Sequence, residues 1–380
     1  MAGGEPTPAF LRVQTFHDVV VYPTQELLSP PLRLFRGGPD WPWFWLRRGA
    51  RHCRFDPAVP LDVRPARRGG SAATIKPQGI WCGPVTRHFG HAVASFGTRL
   101  LAASRRPDLG PLVFSAFPDE TPPAFFWQIL AHFGVEPARV RIVAAPIRFR
   151  ALSVMPQAER FRGGPPERAY LDLLAAVAGP PRLDGRGLYV SRAGLWKGKV
   201  AGEAYLETAL AHCGFDVLRP EDHPLGHQLA LYRDAAHLVF AEGSALHGLQ
   251  LLGPVPAAVT VIARRRRSHI AAAAVSARAA SLAYVDAVRG TLHGVGRAGR
   301  AQPSAGMTLL DPRALVAGLE RQGIAIGSQW DEAAFASQRD QDLARWLDAR
   351  KRHPTHPRDP AMIEASRHRL GLTHDAFTGP

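Results

Sequence analysis

Along the second half of the chain, short apolar runs alternate with longer stretches whose apolar positions recur every three or four residues. This alternation predicts strands at 187–191, 215–218, 237–241, 257–262 and 282–288, with helices at 202–213, 225–236, 245–252 and 268–280 between them. Leu206, Ala209, Leu210 and Cys213 make one helical stripe, and Gly214 follows where a helix end favours a residue able to take positive φ. Strands alternating with such helices predict a parallel sheet covered on both faces, with ligands beyond the carboxyl ends of the strands. The first half repeats this grammar less cleanly, with strands expected at 77–82, 111–115 and 139–144 and helices at 88–104 and 122–134, after a start holding short β pieces. The reading is therefore α/β: two Rossmann-like lobes whose parallel sheets face a central cleft.

The organisation that follows is an N-terminal lobe over 1–160, a linker over 161–186, a C-terminal lobe over 187–325, and a terminal helix and tail over 326–380. The linker carries one amphipathic helix, with Tyr170, Leu173, Leu174 and Val177 on its stripe. The glycine-rich stretch 290–306 reads as a mobile loop and a possible lid. A helix at 330–352 is expected to pack across the lobes, and the tail from His353 to be poorly ordered.

Composition narrows the partners. A chain of 380 residues with 46% hydrophobic and 21% charged content is globular and long enough for two cores. Its 47 basic and 32 acidic residues leave +15, which attracts a phosphorylated ligand, a polyanion or an anionic membrane surface alike. The three cysteines, Cys53, Cys82 and Cys213, form no CxxC pair, which suits packing roles in a reducing compartment. The start MAGGEPTPAF lacks the basic and apolar regions of a secretory leader, and no window reaches the ~18 apolar residues of a membrane span. A cytoplasmic chain is the expectation. WPWFWLRR, 41–48, is either an interfacial membrane anchor or, on the reading preferred for its shortness, an aromatic cluster packed under a loop.

Three stretches carry candidate chemistry. In FAEGSALHGLQLL, 240–252, a strand runs into Glu242-Gly243-Ser244 and then into an apolar helical pattern. Gly243 permits the turn, Ser244 is a natural N-cap, and the free amides behind it suit a phosphate. Glu242 is placed to accept from a ribose, and His247 to line the same pocket. In YVSRAGLWKGKV, 189–200, Arg192, Lys197 and Lys199 put three cations around that mouth, where a diphosphate would be held from both sides. In TRHFGHAVASFGTRLL, 86–101, Phe89, Val93, Phe96 and Leu100 make an apolar stripe while His88, His91 and Ser95 share another face, offering an imidazole near its working pH as a proton acceptor. No carboxylate completes a metal site beside His88 and His91, and His212, Cys213, His223 and His227 fall on different elements, so no metal is expected. The basic run ARRRRSH, 263–269, stands without interleaved aromatics, which argues against nucleic acid.

Phe89-Gly90-His91, Tyr189-Val190-Ser191-Arg192, Gly243-Ser244-Ala245-Leu246 and the intervening CGFDVLRPED segment together resemble bacterial members of glycosyltransferase family 61, the capsular-polysaccharide-biosynthesis type, over about residues 75–290. The resemblance implies a GT-B-like pair of lobes, an inverting transfer, and a nucleotide-sugar donor bound mainly by the C-terminal lobe. It places His91 on the acceptor side and Arg192, Gly243 and Ser244 on the donor side. Other branches carry a histidine before the glycine, then Gly-Ala-Gly-Leu and an asparagine; here Glu242, Ser244, Ala245 and Gly248 stand at those places. The residues and the resemblance agree on one expectation: His91, or else His88, deprotonates an acceptor hydroxyl while Arg192, Lys199 and the amides near Ser244 stabilise a leaving diphosphate, with no cofactor required. The acceptor would be a saccharide or glycolipid. A non-catalytic polyanion-binding protein and a nucleotide-sugar epimerase are the alternatives.

Overall fold

The stretches GLYV, HLVFA and AVTVI are almost uniformly apolar, the composition a strand needs when both its faces are covered. The structure, a computed structural model, describes residues 7–29, 33–47, 49–66, 74–182, 185–296 and 298–372. Its seven-stranded first sheet contains β1 (Gln14–Ser29), β2 (Leu34–Pro39), β3 (Asp62–Val63), β4 (Thr74–Pro84), β5 (Leu112–Ser115), β6 (Val140–Val143) and β7 (Ile147–Val154) in the order β3-β2-β1-β7-β4-β5-β6. The second contains β8 (Gly187–Val190), β9 (Phe215–Leu218), β10 (His237–Ala241), β11 (Ala258–Ile262) and β12 (Ser281–Val285) in the order β9-β8-β10-β11-β12, every pairing parallel.

The second sheet follows the expected doubly wound plan. From β8 the chain steps outward to β9 and then crosses back to β10 on the other side, so the order reverses between β8 and β10. In open α/β sheets that reversal leaves a crevice beyond the carboxyl ends of the two strands.

The first sheet departs from the all-parallel expectation. β7, β4, β5 and β6 run parallel, but β1 is antiparallel to both β7 and β2, making the sheet mixed. The 16-residue β1 was hidden because its pattern is interrupted: Pro23, unable to donate to a ladder, lies in a register shift between Tyr22 and Glu26, and Asp18 and Leu28 take positive φ.

Several helices are shorter or tighter than their periodicity suggested. The 88–104 stretch is α at Phe89–His91, π at Ala92–Phe96, 3-10 at Gly97–Arg99 and α again at Leu100–Ser104. The expected helix 245–252 is a 3-10 segment, Ser244–Leu251, capped by Gly243 in extended conformation rather than by the Ser244 side chain. Of 268–280 only Ala272–Ser276 is helical, and the last strand divides, Val288–Leu292 joining Met307–Leu310 and Lys199–Val200 in a small sheet.

The C-terminal region is also more structured than expected. Helix Glu332–Arg352 packs on the second lobe, with Asp342 accepting from the Gly202 amide, instead of bridging the lobes. The tail beyond His353 forms helix Asp359–Leu370, while 373–380 lie outside the described residues. Within 290–306, Gly296 donates to Arg300, and the Val295 amide donates to Asp359, itself paired with Arg350. The aromatic stretch 41–48 splits: Trp41 and Phe44 are buried, whereas Trp43, Trp45 and Leu46 are exposed.

One apolar core runs through both lobes. Leu101, Phe126 and Leu130 of the first, Leu174 of the connecting helix Arg168–Ala178, and Tyr232, Leu246 and Leu249 of the second belong to it. Polar ties cross at the same level: Gln128 accepts from the Leu225 amide at 2.9 Å, and His132 Nε2 lies 3.0 Å from the Leu251 carbonyl oxygen. Among the described residues no helix is long and apolar enough to cross a membrane.

Candidate active site

The crevice at the strand-order reversal is a cavity of about 430 Å³ lined by Ser191 and Arg192 after β8, Pro220, Glu221 and His223 after β9, and Ser244 and Ala245 after β10. The first lobe closes it with Phe89, Phe125 and Gln128. Arg192 is placed by a buried carboxylate that sequence reasoning missed. Glu203, at the start of the next helix, accepts from the Arg192 amide at 2.6 Å, from the Tyr189 hydroxyl at 3.1 Å and from the Val200 amide at 3.3 Å. The Arg192 guanidinium donates to the carbonyls of Gly198 and Lys197, which leaves donor capacity toward the cavity. Partial burial lowers its pKa, with Glu203 and Glu221 opposing that shift.

Gly243 is needed for close approach. Its φ of −173° suits any residue, but a Cβ there would lie 2.2 Å from Arg192 Nη1. Arg192, Gly243 and Ser244 are thus brought together. The two lysines are not part of that wall: Lys197 is exposed with its ammonium 4.6 Å from the Trp196 ring centre, and Lys199 is half-buried in the strand that pairs with Met307.

Glu242 faces inward. Its carboxylate accepts from the Arg264 amide at 2.7 Å, from Ser268 Oγ at 2.6 Å and from the Arg265 guanidinium. Burial would raise its pKa, but these partners bring it below the usual carboxylate range. A carboxylate so engaged has no lone pair aimed at a ribose, so the expected ribose contact gives way to a structural one. The same interactions absorb much of the basic run: Arg264 is buried and also donates to Gly198, while Arg266 donates to the Val288 and Arg289 carbonyls.

The histidines gather where the two lobes touch. Phe89–His91 and Ser244–Leu251 pack together at Gly90, where a Cβ would come 2.8 Å from His247 Cδ2 and 3.4 Å from His88 Cε1. The His88 and His91 ring centres are 4.8 Å apart, and the Phe161 ring lies 5.9 Å from His91 and 6.2 Å from His247. His91 Nδ1 is 3.1 Å from Ser95 Oγ, as the spacing predicts despite the π turn. Burial pushes the His91 pKa down to about 4, helped by the charges of His88, His247 and Arg33; burial also lowers exposed-edge His88 and takes His247 to about 4.

His247 is buried and oriented by a chain that crosses the lobes. Its Nδ1 lies 2.6 Å from Gln250 Oε1; Gln250 Nε2 donates to Glu159 at 3.0 Å; and Glu159 forms a buried ion pair with Arg278. Because the Gln250 amide spends its NH₂ on a carboxylate, its oxygen must accept, so Nδ1 of His247 carries the proton and Nε2 holds the lone pair. Beyond His247 lies a second cavity of about 440 Å³, lined also by Ala94, Phe161 and residues 267–274. The contacting segments therefore form a partition: Phe89, Ser244 and Ala245 face one cavity, Ala94, His247 and Gln250 the other. Among the described residues, no group of three or more His, Cys, Asp or Glu is arranged to hold a metal ion.

Residues 89–257 match the family model of glycosyltransferase 61. The matched span begins at the partition and ends before β11, so it contains Arg192, Gly243, Ser244, His91, His247 and the strand-order reversal, with His88 just before its first residue. The match supports a transferase working between a sugar donor and an acceptor. No curated protein matches the chain.

Proposed function

We propose that the protein is an inverting glycosyltransferase of GT-B type that moves a sugar from a nucleotide-sugar donor to a saccharide or glycolipid hydroxyl in polysaccharide or glycoconjugate assembly. The observation that carries this reading is Arg192 beside Ser244 at the strand-order reversal of an all-parallel sheet, within the family-matched span. The donor diphosphate lies between the Arg192 guanidinium and the backbone amides at Ser244 and Ala245. Exposed Glu221, beyond the carboxyl end of β9, takes the ribose-binding role that Glu242 cannot fill. His91 receives the acceptor proton as the acceptor oxygen bonds to the anomeric carbon; the bond from that carbon to the diphosphate oxygen breaks, and the nucleoside diphosphate leaves with its electron pair. His88 is the second candidate for the base. Cysteines that form no disulfide among the described residues suit a cytoplasmic setting.

The polyanion-binding alternative loses ground because the arginine run it needs is largely bonded within the protein. The deciding experiment is thermal unfolding across a panel of nucleoside diphosphates and nucleotide sugars, since a ligand of the folded state raises the Tm by mass action. A rise with one nucleotide family, lost in Arg192→Ala, is expected. No rise with any nucleotide overturns the reading.

A further inference from the structure

The donor-binding reading leaves the second cavity without a ligand. Its walls come from residues 160–164 of the connection and 267–274 of the second lobe, and its base from Ala94, His247 and Gln250. Arg160, Arg162, Arg267 and His269 line it, and no Asp or Glu does. Basic side chains elsewhere nearby are consumed internally, as in the Arg264–Arg266 run, and Arg160 donates to the Phe55 carbonyl and pairs with Asp56 at 3.3 Å. Arg162 and Arg267 differ: their guanidinium groups have no hydrogen-bond or ion-pair partner among the described residues, and Arg162 only covers the Phe161 ring at 5.6 Å.

A second, independent observation falls on the same wall. Arg162, Arg267 and Ala271 all occupy left-handed backbone conformations, with φ of 57°, 54° and 58°. Residues with a Cβ are strained there, and such strain persists where the surrounding structure fixes it, commonly at ligand-binding positions. Two of these three are the unpartnered arginines, so their positions are imposed rather than chosen by relaxed surface loops.

We propose that this cavity is the acceptor site and that the acceptor is an acidic saccharide, whose carboxylate or phosphate is received by Arg162 and Arg267. The inference rests on the transferase reading. The cavity lies across the histidine partition from the donor crevice, and Phe161, which lines it, touches both His91 and His247. A guanidinium fork matches carboxylate and phosphate geometry, and clustered cations in a concave site raise the local concentration of an anion. A neutral acceptor leaves both forks to water.

The test is binding of the full chain to an array of neutral, uronic-acid-containing and phosphorylated oligosaccharides, beside Arg162→Gln/Arg267→Gln and the charge-preserving Arg162→Lys/Arg267→Lys. The wild type is expected to bind anionic features, with signal falling at least tenfold in the Gln pair and partly restored in the Lys pair. Preference for uronic acids identifies a carboxylate, and preference for phosphorylated features a phosphate; either supports the site. Equal binding of neutral features, no feature above background, or anionic binding that survives the Gln pair would overturn it. Nucleotide-induced Tm shifts measured on the same variants report the donor crevice separately: retained shifts with a failed array reject only the acidic acceptor, whereas absent shifts in the wild type reject the transferase reading itself.

Discussion

On the proposed transferase reading, two glycines separate donor binding from acceptor activation. Gly243→Ala is tolerated by its extended backbone but drives a methyl group into Arg192, so the donor Kd should rise at least tenfold with little change in Tm, read by calorimetric titration. Gly90→Ala gains about 0.5–1 kcal/mol of helix preference yet displaces His247, so turnover should fall at least tenfold while donor affinity holds. Reversed effects would exchange the roles of the two sides. With His91 as the proposed base, the pH dependence follows from its environment. Burial, then the charges of His88, His247 and Arg33, depress its pKa to about 4, so the imidazole is neutral and able to accept a proton throughout the range above that value. The kcat/KM profile should stay flat from pH 8 down to about 5 and decline only as His91 protonates near 4; a break near the unperturbed value of about 6.5 would assign the base elsewhere. At this scale the sequence spoke clearly for Arg192, Gly243 and Ser244, which a strand end and a glycine turn locate together. It was silent on Glu203, Glu159 and Arg278, whose meaning depends on partners 11 to 119 positions away.

Elements explain why the second lobe was readable and the first was not. β8, β10 and β11 are buried on both faces, so each appears as a continuous apolar run, and alternation with helices dictates parallel pairing. β1 breaks its own pattern at Asp18, Pro23 and Leu28, and its pairing with β7 joins residues more than 120 positions apart. The Ser244–Leu251 segment had an apolar helical pattern but winds as 3-10, which no periodicity argument separates from a short α-helix. That segment is held by the buried Arg278–Glu159 pair through Gln250. Arg278→Met leaves the Glu159 carboxylate buried and uncompensated, which should cost about 3–5 kcal/mol in urea unfolding. The double change Arg278→Met/Glu159→Leu should recover part of that loss, because it removes the stranded charge. Equal stability of the single variant and wild type would show that the pair is not what fixes the segment.

For the whole molecule, the question is whether two sheets mean two units. Domains joined by modest polar interfaces usually move and melt separately. Here the main apolar core takes Leu101, Phe126 and Leu130 from the first lobe, Leu174 from the connection and Tyr232, Leu246 and Leu249 from the second, leaving no apolar boundary between them. The Leu225 amide to Gln128, His132 to the Leu251 carbonyl, and Arg278 to Glu159 cross at the same level, each costly to expose or strand. Opening one lobe would therefore uncover the other's core. Scanning calorimetry should show a single transition with calorimetric and van't Hoff enthalpies in agreement. A nucleoside diphosphate that binds at Arg192 should move that entire transition upward, even though its contacts lie almost wholly in the second lobe. Two resolved transitions, with only the later or the earlier one shifted by nucleotide, would mean that the shared core does not couple the lobes and that the histidine partition can part during turnover.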